Sequence, residues 1–88
     1  MASNFKFFSH LTENSLHLKL YGDFDGNSAL ELLSALTEHD NSLRHIFIDT
    51  NDLNNIYPFG KDVFQNNLGA MQSNKLTFLG KNKHNLML

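Results

Sequence analysis

The sequence contains no cysteine, which excludes disulfide bonds and thiolate metal sites. Packing alone must therefore hold its 88 residues together. At this length we expect residues 1–88 to form a single domain around one hydrophobic core. The lack of disulfides also fits a reducing compartment, so we expect a cytoplasmic protein.

An excess of positive charge and a long apolar segment are also missing. The formal net charge is −2, whereas nucleic-acid-binding proteins normally carry a clear basic excess. No apolar run approaches the roughly 20 residues that span a bilayer. Residues 1–4 have neither the basic cluster nor the apolar run of a signal peptide. We therefore expect no nucleic-acid partner and no membrane span.

Motifs that carry catalysis or bind cofactors are absent as well. The sequence has no EF-hand loop and no H-E-x-x-H, G-x-S-x-G or P-loop pattern. Asp25 and Asp52 are explained as cap or turn residues, and Ser28 as a first-turn helix residue. We therefore predict no catalytic residue, no cofactor and no metal site, and a protein that is not an enzyme.

The first 21 residues predict a β-hairpin. Residues 5–11 and 16–21 both alternate apolar and polar side chains, which is typical of half-buried strands, and residues 12–15 form the turn. A symmetric turn places apolar residues of both strands on one face, since a one-residue slip would invert one strand. The predicted register consists of Leu11–Leu16, Ser9–Leu18 and Phe7–Leu20 on that face, and His10–His17, Phe8–Lys19 and Lys6–Tyr21 on the other.

Two helices and two more strands follow. We expect a loop over residues 22–27, in which Asp25 or Asn27 caps a helix over residues 28–38. A third strand covers residues 44–50, and its apolar residues on both sides predict a central position. Pro58 begins the second helix, because its fixed φ suits the first helical position. That helix buries Val63, Phe64, Leu68 and Met71.

The C-terminal part adds a fourth strand over residues 76–79 and a short tail over residues 81–88, which either docks Leu86, Met87 and Leu88 or frays. The resulting order is β-β-α-β-α-β. Because strand–helix–strand crossovers are right-handed, both helices fall on the same face of a mixed four-stranded sheet. The sequence therefore predicts an α/β fold in which the other face of the sheet is open.

Two segments resemble the STAS family of anti-sigma-factor antagonists. The run G-D-F-D at residues 22–25, followed by Ser28, Ala29 and a leucine-rich helix, is similar to the G-x-(L/F)-D-x-x-(S/T)-A opening of STAS domains. The strand over residues 46–50 and the loop before the second helix resemble that family's central strand and switch loop. The resemblance covers residues 16–80 and implies a STAS-like fold and a bacterial regulatory protein that binds other proteins.

The resemblance also locates the position at which family members are phosphorylated. In members that act as phospho-switches the loop contains Asp-Ser-Ser/Thr-Gly, and the hydroxyl before the glycine accepts phosphate. Aligned on Gly60, that position is Phe59, its neighbour is Pro58 and the acid position is Tyr57. Phe59 has no acceptor oxygen, so we expect no phospho-switch at this loop.

The family binds its kinase partners on this side, and we therefore predict partner-binding residues there. They are Asp25, Asn27, Tyr57, Pro58, Phe59, Gly60 and Lys61. Exposed aromatic side chains often anchor a protein partner, although Phe59 could equally fill the top of the core. The expected partner is an anti-sigma kinase-like or other regulatory protein. An alternative is a small anion or nucleotide bound by the N–H groups of Gly60 and Lys61.

The open face of the sheet supplies a second alternative. In the predicted registers it carries four large apolar groups, Phe8, Tyr21, Phe47 and Leu79, with cation–π packing of Lys19 on Phe8 and of Lys6 on Tyr21. Such a patch is a candidate surface for a partner or for a structural homodimer. His10, His17 and His45 also face this side, where solvent-exposed histidines are a simpler interpretation than zinc ligands.

Overall fold

A computed structural model describes residues 4–39, 45–68 and 75–86. Its seven elements follow the predicted order and add a short C-terminal helix. They are β1 (Lys6–Leu11), β2 (Ser15–Phe24), α1 (Gly26–His39), β3 (His45–Ile56), α2 (Pro58–Leu68), β4 (Leu76–Leu79) and α3 (Lys83–Leu86). The helices of the described ranges include none that is long and apolar enough to cross a bilayer.

The four strands form one mixed sheet in the order β1-β2-β3-β4. The β1–β2 hairpin is antiparallel, and all six of its pairs match the predicted register, from Lys6 opposite Tyr21 to Leu11 opposite Leu16. β2 pairs in parallel with β3, and β3 with β4. The predicted central position of the third strand is therefore confirmed.

The hydrophobic core lies on one face of this sheet. Alternate residues of the strands point into it, because side chains along a strand alternate between faces. The leucine stripe of α1 and the apolar side of α2 cover these residues, as predicted. The buried apolar side chains are Phe5, Leu16, Leu18, Leu20, Phe24, Ala29, Leu32, Leu33, Leu36, Ile46, Ile48, Leu53, Phe64, Leu68 and Leu86. The predicted α/β fold with helices mainly on one face is thus confirmed.

Both central strands are longer than predicted. β2 continues to Phe24, so half of the expected loop over residues 22–27 belongs to a strand. Irregularities between Lys19 and Tyr21 and between Gly22 and Phe24 interrupt the pairing with β3, and Gly22 has a φ of 89°. The burial alternation continues through Phe24, but glycine and aspartate are residue types that strands usually avoid, which conceals this part of β2 in the sequence. β3 likewise continues to Ile56 through exposed polar residues that strands usually avoid.

The C-terminal tail docks on the core. Leu86 of α3 is fully buried, and the Gln65 side chain of α2 donates a hydrogen bond to the Leu86 carbonyl. The Asn82 amide donates to the carbonyls of Thr50 and Leu53, where β3 extends beyond β4. Of the two predicted outcomes for the tail, docking is therefore observed for Leu86. Met71, Met87 and Leu88 lie outside the described residues.

Candidate functional site

The corner between β3 and α2 lies beside the start of α1. The Tyr57 N–H donates to the Phe24 carbonyl at 2.9 Å, which fixes the end of β3 to the end of β2. α2 then begins at Pro58, as predicted. The Lys61 N–H donates to the Tyr57 carbonyl at 3.0 Å. This bond satisfies one of the two N–H groups on which the predicted anion site depends.

Asp25 is the cap of α1. Its Oδ1 accepts hydrogen bonds from the Ser28 N–H at 2.9 Å and from the Ser28 hydroxyl at 3.0 Å, and the Ser28 hydroxyl also lies 3.1 Å from the Asp23 carbonyl. Asn27 is already inside the helix, with an exposed side chain, so the prediction that it could be the cap is wrong. The helix begins two residues earlier than predicted because Asp25 can satisfy its first-turn N–H groups.

The starts of α1 and α2 meet through two glycines. A Cβ atom on Gly60 would lie 2.6 Å from the backbone carbon of Asp25, so only a glycine fits this contact without a shift. A Cβ atom on Gly26 would lie 2.8 Å from Cε2 of the Phe59 ring. The two helix starts are therefore held together by backbone contacts, and the Phe59 ring lies next to Gly26.

The aromatic residues of the corner are exposed. Phe59 is 71% exposed and Tyr57 is 47% exposed, and the Pro58 side chain is also exposed. Phe59 therefore does not fill the top of the core, which settles the two possibilities for this residue in favour of a surface position. Lys61 is half-buried and Gly60 is buried. The structure thus brings together all seven predicted partner-binding residues, which we call the corner surface: Asp25, Asn27, Tyr57, Pro58, Phe59, Gly60 and Lys61.

The remaining acidic residues of this side have structural contacts. Asp23 accepts hydrogen bonds from the side-chain amides of Asn4 and Asn55. Asp49 accepts from the Asn51 N–H at 2.9 Å. Asp52 lies in β3, not in a turn as predicted, because that strand is longer than its apolar pattern indicates. Asp23 and Asp49 therefore both take part in hydrogen bonds with neighbouring segments of the chain.

The open face of the sheet carries Phe8, Tyr21, Phe47 and Leu79, as predicted. The Phe8 ring meets the Tyr21 ring edge-on, with 5.4 Å between centroids. The Lys6 ammonium lies 5.9 Å from both ring centroids. Lys19 lies over Tyr21, not over Phe8 as predicted, because its ammonium group pairs with Asp52. A concavity of about 330 Å³ lies between Phe8 and Leu79.

Lys19 is held between an aromatic ring and a carboxylate. Its Nζ lies 3.5 Å from Asp52 Oδ2. Tyr21, when ionised, and after it Asp52 raise the pKa of Lys19 above its usual value. Because the pKa of Lys19 is higher in the folded chain than in the unfolded chain, protonated Lys19 stabilises the fold. This contribution is complete below the unfolded pKa and is lost as the pH rises through the folded pKa. Since the pair is exposed to solvent, we assign it a minor role in stability.

The three histidines of the open face do not converge. His10 and His17 are cross-strand partners with ring centroids 6.3 Å apart. The His17 ring stacks on Phe47 at 4.8 Å, and Phe47 separates it from His45. Over residues 4–39, 45–68 and 75–86, no three histidine or carboxylate side chains are grouped as metal ligands.

Comparisons with known proteins relate the chain to others through its fold. No protein-family model and no curated protein sequence matches it. Among solved structures, an antisigma-factor antagonist STAS domain from Rhodobacter sphaeroides superimposes with a TM-score of 0.69 at 13% identity, covering 98% of each chain. The anti-sigma factor antagonist SpoIIAA in its unphosphorylated form gives a TM-score of 0.54 at 12% identity, covering 90% of this chain and 92% of SpoIIAA.

A larger protein contains a similar unit. Mglu gives a TM-score of 0.68 at 18% identity, and the match covers 84% of this chain but only 19% of Mglu. This chain therefore spans about a fifth of the length of Mglu. At these identities the similarity establishes the fold alone, so the chain has a STAS-like fold, as the sequence predicted.

Proposed function

We propose that this chain is a non-catalytic regulatory domain that binds another protein through its corner surface and does not switch by phosphorylation there. The observation that carries the proposal is the exposure of Phe59, 71%, at the position where the family resemblance places a phosphate-accepting hydroxyl. The names of the structural neighbours, two of them anti-sigma-factor antagonists, support a regulatory role in a bacterial cytoplasm. The partner is then an anti-sigma kinase-like or other regulatory protein.

The geometry of the corner favours protein binding for two physical reasons. Large aromatic side chains contribute much contact area and lose little conformational entropy when a partner covers them. The backbone contact between Gly60 and Asp25 also fixes the corner before a partner arrives. A surface that is already ordered avoids part of the entropic cost of association.

The partner-binding prediction can be tested with an immobilised chain and a purified anti-sigma-factor protein from the source organism. We expect Phe59→Ser to weaken binding by about 30-fold, because a central aromatic anchor contributes about 2 kcal/mol or more. Phe8→Ser is the matched control, since Phe8 is also highly exposed but lies on the open face. Equal affinities for the two variants would contradict the assignment of the corner surface.

The absence of a phospho-switch requires a separate experiment. We expect that incubation with ATP and an anti-sigma-factor kinase leaves residues 57–61 unmodified, because Phe59 has no hydroxyl and Pro58 has no side-chain oxygen. Mass spectrometry of the intact chain and of its peptides measures the modification. SpoIIAA serves as the positive control with its own kinase. Phosphate on Tyr57 would overturn this part of the proposal.

The anion-binding alternative depends on fewer groups than the sequence indicated. The Lys61 N–H is bonded to Tyr57, which leaves the Gly60 N–H and the Lys61 ammonium as the predicted donors. Titration with inorganic phosphate, followed by the amide resonances of Gly60 and Lys61, tests it. Saturable shifts confined to these residues at millimolar phosphate would favour the anion site over a protein partner.

A further inference from the structure

The outer edge of β1 is a regular, exposed edge of the sheet. β1 is the first strand of the sheet order, and among the described strands only β2 pairs with it. Its six pairs with β2 contain no irregularity, and it has no proline. Phe8 is 59% exposed and Leu11 is 57% exposed. Proteins usually protect such an edge with a bulge, a proline or a cover, since it otherwise serves as a template for another strand.

The hairpin geometry shows which backbone groups face outward. The Thr12 N–H donates to the Ser15 carbonyl, so these two residues close the hairpin as a hydrogen-bonded pair. Because such pairs alternate along an antiparallel ladder, the backbone groups of Lys6, Phe8 and His10 point to β2. The N–H and C=O groups of Phe7, Ser9 and Leu11 therefore point away from the sheet.

A groove lies on the helix side of this edge, between β1 and α1. It has a volume of about 410 Å³. Its residues are Phe7, Leu30, Glu31, Ser34, Ala35 and Glu38. Leu30 is 58% exposed, so the groove combines apolar surface with two carboxylates and has no basic side chain among its lining residues. A strand added to β1 would direct alternate side chains toward this groove.

We propose that the outer edge of β1 binds an extended segment of a partner protein as a fifth strand, and that this segment alternates apolar and basic residues on its groove side. Main-chain hydrogen bonds to Phe7, Ser9 and Leu11 supply affinity, and the groove supplies selectivity. Glu31 and Glu38 lie seven residues apart on α1, about 10 Å along its axis. Lysine or arginine side chains reach both from one strand.

Charge distinguishes this partner from a second copy of the chain. Two copies paired edge to edge through β1 would be related by a two-fold axis, and their α1 helices would lie side by side on the same face. Glu31 and Glu38 of one copy would then face those of the other. Like charges across such a seam oppose the pairing, whereas a basic segment neutralises them.

The experiment uses the full chain and the peptide acetyl-TKTVTKT-amide, with acetyl-TETVTET-amide as its charge-reversed twin. We expect the lysine peptide to shift the amide resonances of Phe7, Ser9 and Leu11 and to slow their hydrogen exchange at least tenfold at saturation. We expect the glutamate peptide to bind at least tenfold more weakly. Equal binding of the two peptides, or shifts centred on the corner surface, would overturn the proposal.

Two variants test the backbone and the charge separately. Ser9→Pro removes an outward N–H while leaving the hydrogen bonds to β2 intact, as an edge strand allows. We expect it to weaken binding of the lysine peptide at least tenfold. Glu31→Lys should weaken binding of the lysine peptide about fivefold. Asp62→Lys, an equal charge change at an exposed position of α2, should leave binding unchanged and is the matched control. If Ser9→Pro fails to fold, the Glu31 and Asp62 variants still decide the question.

The edge of β1 and the corner surface are independent sites, so failure of one does not imply failure of the other. Phe59→Ser should leave binding of the lysine peptide unchanged. Sedimentation of the free chain tests whether a second copy of the chain, and not a basic partner segment, occupies the edge of β1. A wild-type dimer that Ser9→Pro converts to a monomer would show that a second copy occupies the edge, and would overturn the proposal of a basic partner strand.

Discussion

At the scale of single residues, the corner surface depends as much on missing side chains as on the aromatic ones. Gly60 and Gly26 both allow close contacts between the helix starts, but their neighbours differ. Gly60 is placed against the backbone of Asp25, which cannot move by itself. Gly26 is placed against the exposed ring of Phe59, which can rotate away.

The two glycines therefore provide a matched test. We expect Gly60→Ala to lower the free energy of unfolding by about 1–3 kcal/mol, because the added methyl group overpacks a buried contact. Gly26→Ala should leave it unchanged or raise it by up to about 1 kcal/mol, because alanine is the better helix former. Urea denaturation measures both values. An equal loss for the two variants would show that the Asp25 contact is not the constraint we describe.

Asp25 provides a second residue-scale prediction, because it belongs both to the corner surface and to the cap of α1. We expect Asp25→Ala to cost about 1 kcal/mol of folding free energy through loss of the cap. Asp25→Asn should retain stability, since asparagine caps equally well. Thermal unfolding monitored by circular dichroism measures the difference. Equal losses in stability for the two variants would contradict the capping role.

What the sequence could predict at this scale depended on backbone constraints. The role of Pro58 followed from its fixed φ, whereas capping chemistry left Asp25 and Asn27 both possible as the cap of α1. The exposure of Phe59 could not be predicted, because an apolar side chain in the first turn of a helix can either pack into the core or lie at the surface. The 71% exposure of the Phe59 side chain and the contact of its ring with Gly26 show where it lies. The binding role of the corner surface remains a prediction.

At the scale of elements, regular patterns were informative and irregular ones were not. The hairpin register followed from two alternations that had to agree. The ends of β2 and β3 did not, because Gly22 and Asp23 in β2 and the mostly polar residues 51–55 in β3 are of types that strands usually avoid. The helix α3 has only four residues and was not predicted as a helix. For its one buried side chain, Leu86, the sequence left docking and fraying both open.

The contribution of α3 can be measured through that side chain. We expect Leu86→Ala to lower the free energy of unfolding by about 2–4 kcal/mol, because Leu86 is fully buried and its truncation leaves a cavity in the core. Asn85→Ala, at an exposed position in the same helix, should change it by less than about 0.5 kcal/mol. Denaturant titrations of both variants provide the comparison. A small effect at Leu86 would mean that the core is complete without α3.

At the scale of the whole molecule, the described helices leave one face of the sheet uncovered. The handedness of strand–helix–strand crossovers was sufficient to predict this arrangement. The contacts on the open face could be predicted only in part. Lys19 was predicted to lie over Phe8, but it lies over Tyr21 and pairs with Asp52. A structural homodimer through this face remains the alternative to a protein partner at the corner surface.

Sedimentation tests that alternative. We expect the free chain to remain a monomer at about 200 µM, because the rings of Phe8, Tyr21 and Phe47 already pack on neighbours within the same face. A stable interface would need about 1,000 Å² or more of well-packed contact. Phe47→Ser and Leu79→Ser are the diagnostic variants. A wild-type dimer that both variants dissociate would favour the homodimer.

The fixed corner has a practical consequence for protein engineering. Its position is set by main-chain atoms of Phe24, Asp25 and Gly60, whereas the ring of residue 59 extends into solvent. That residue can therefore be randomised or labelled with a fluorescent dye while its anchoring atoms stay in place. The chain is accordingly a small, cysteine-free scaffold on which one chosen side chain is displayed from a fixed backbone position.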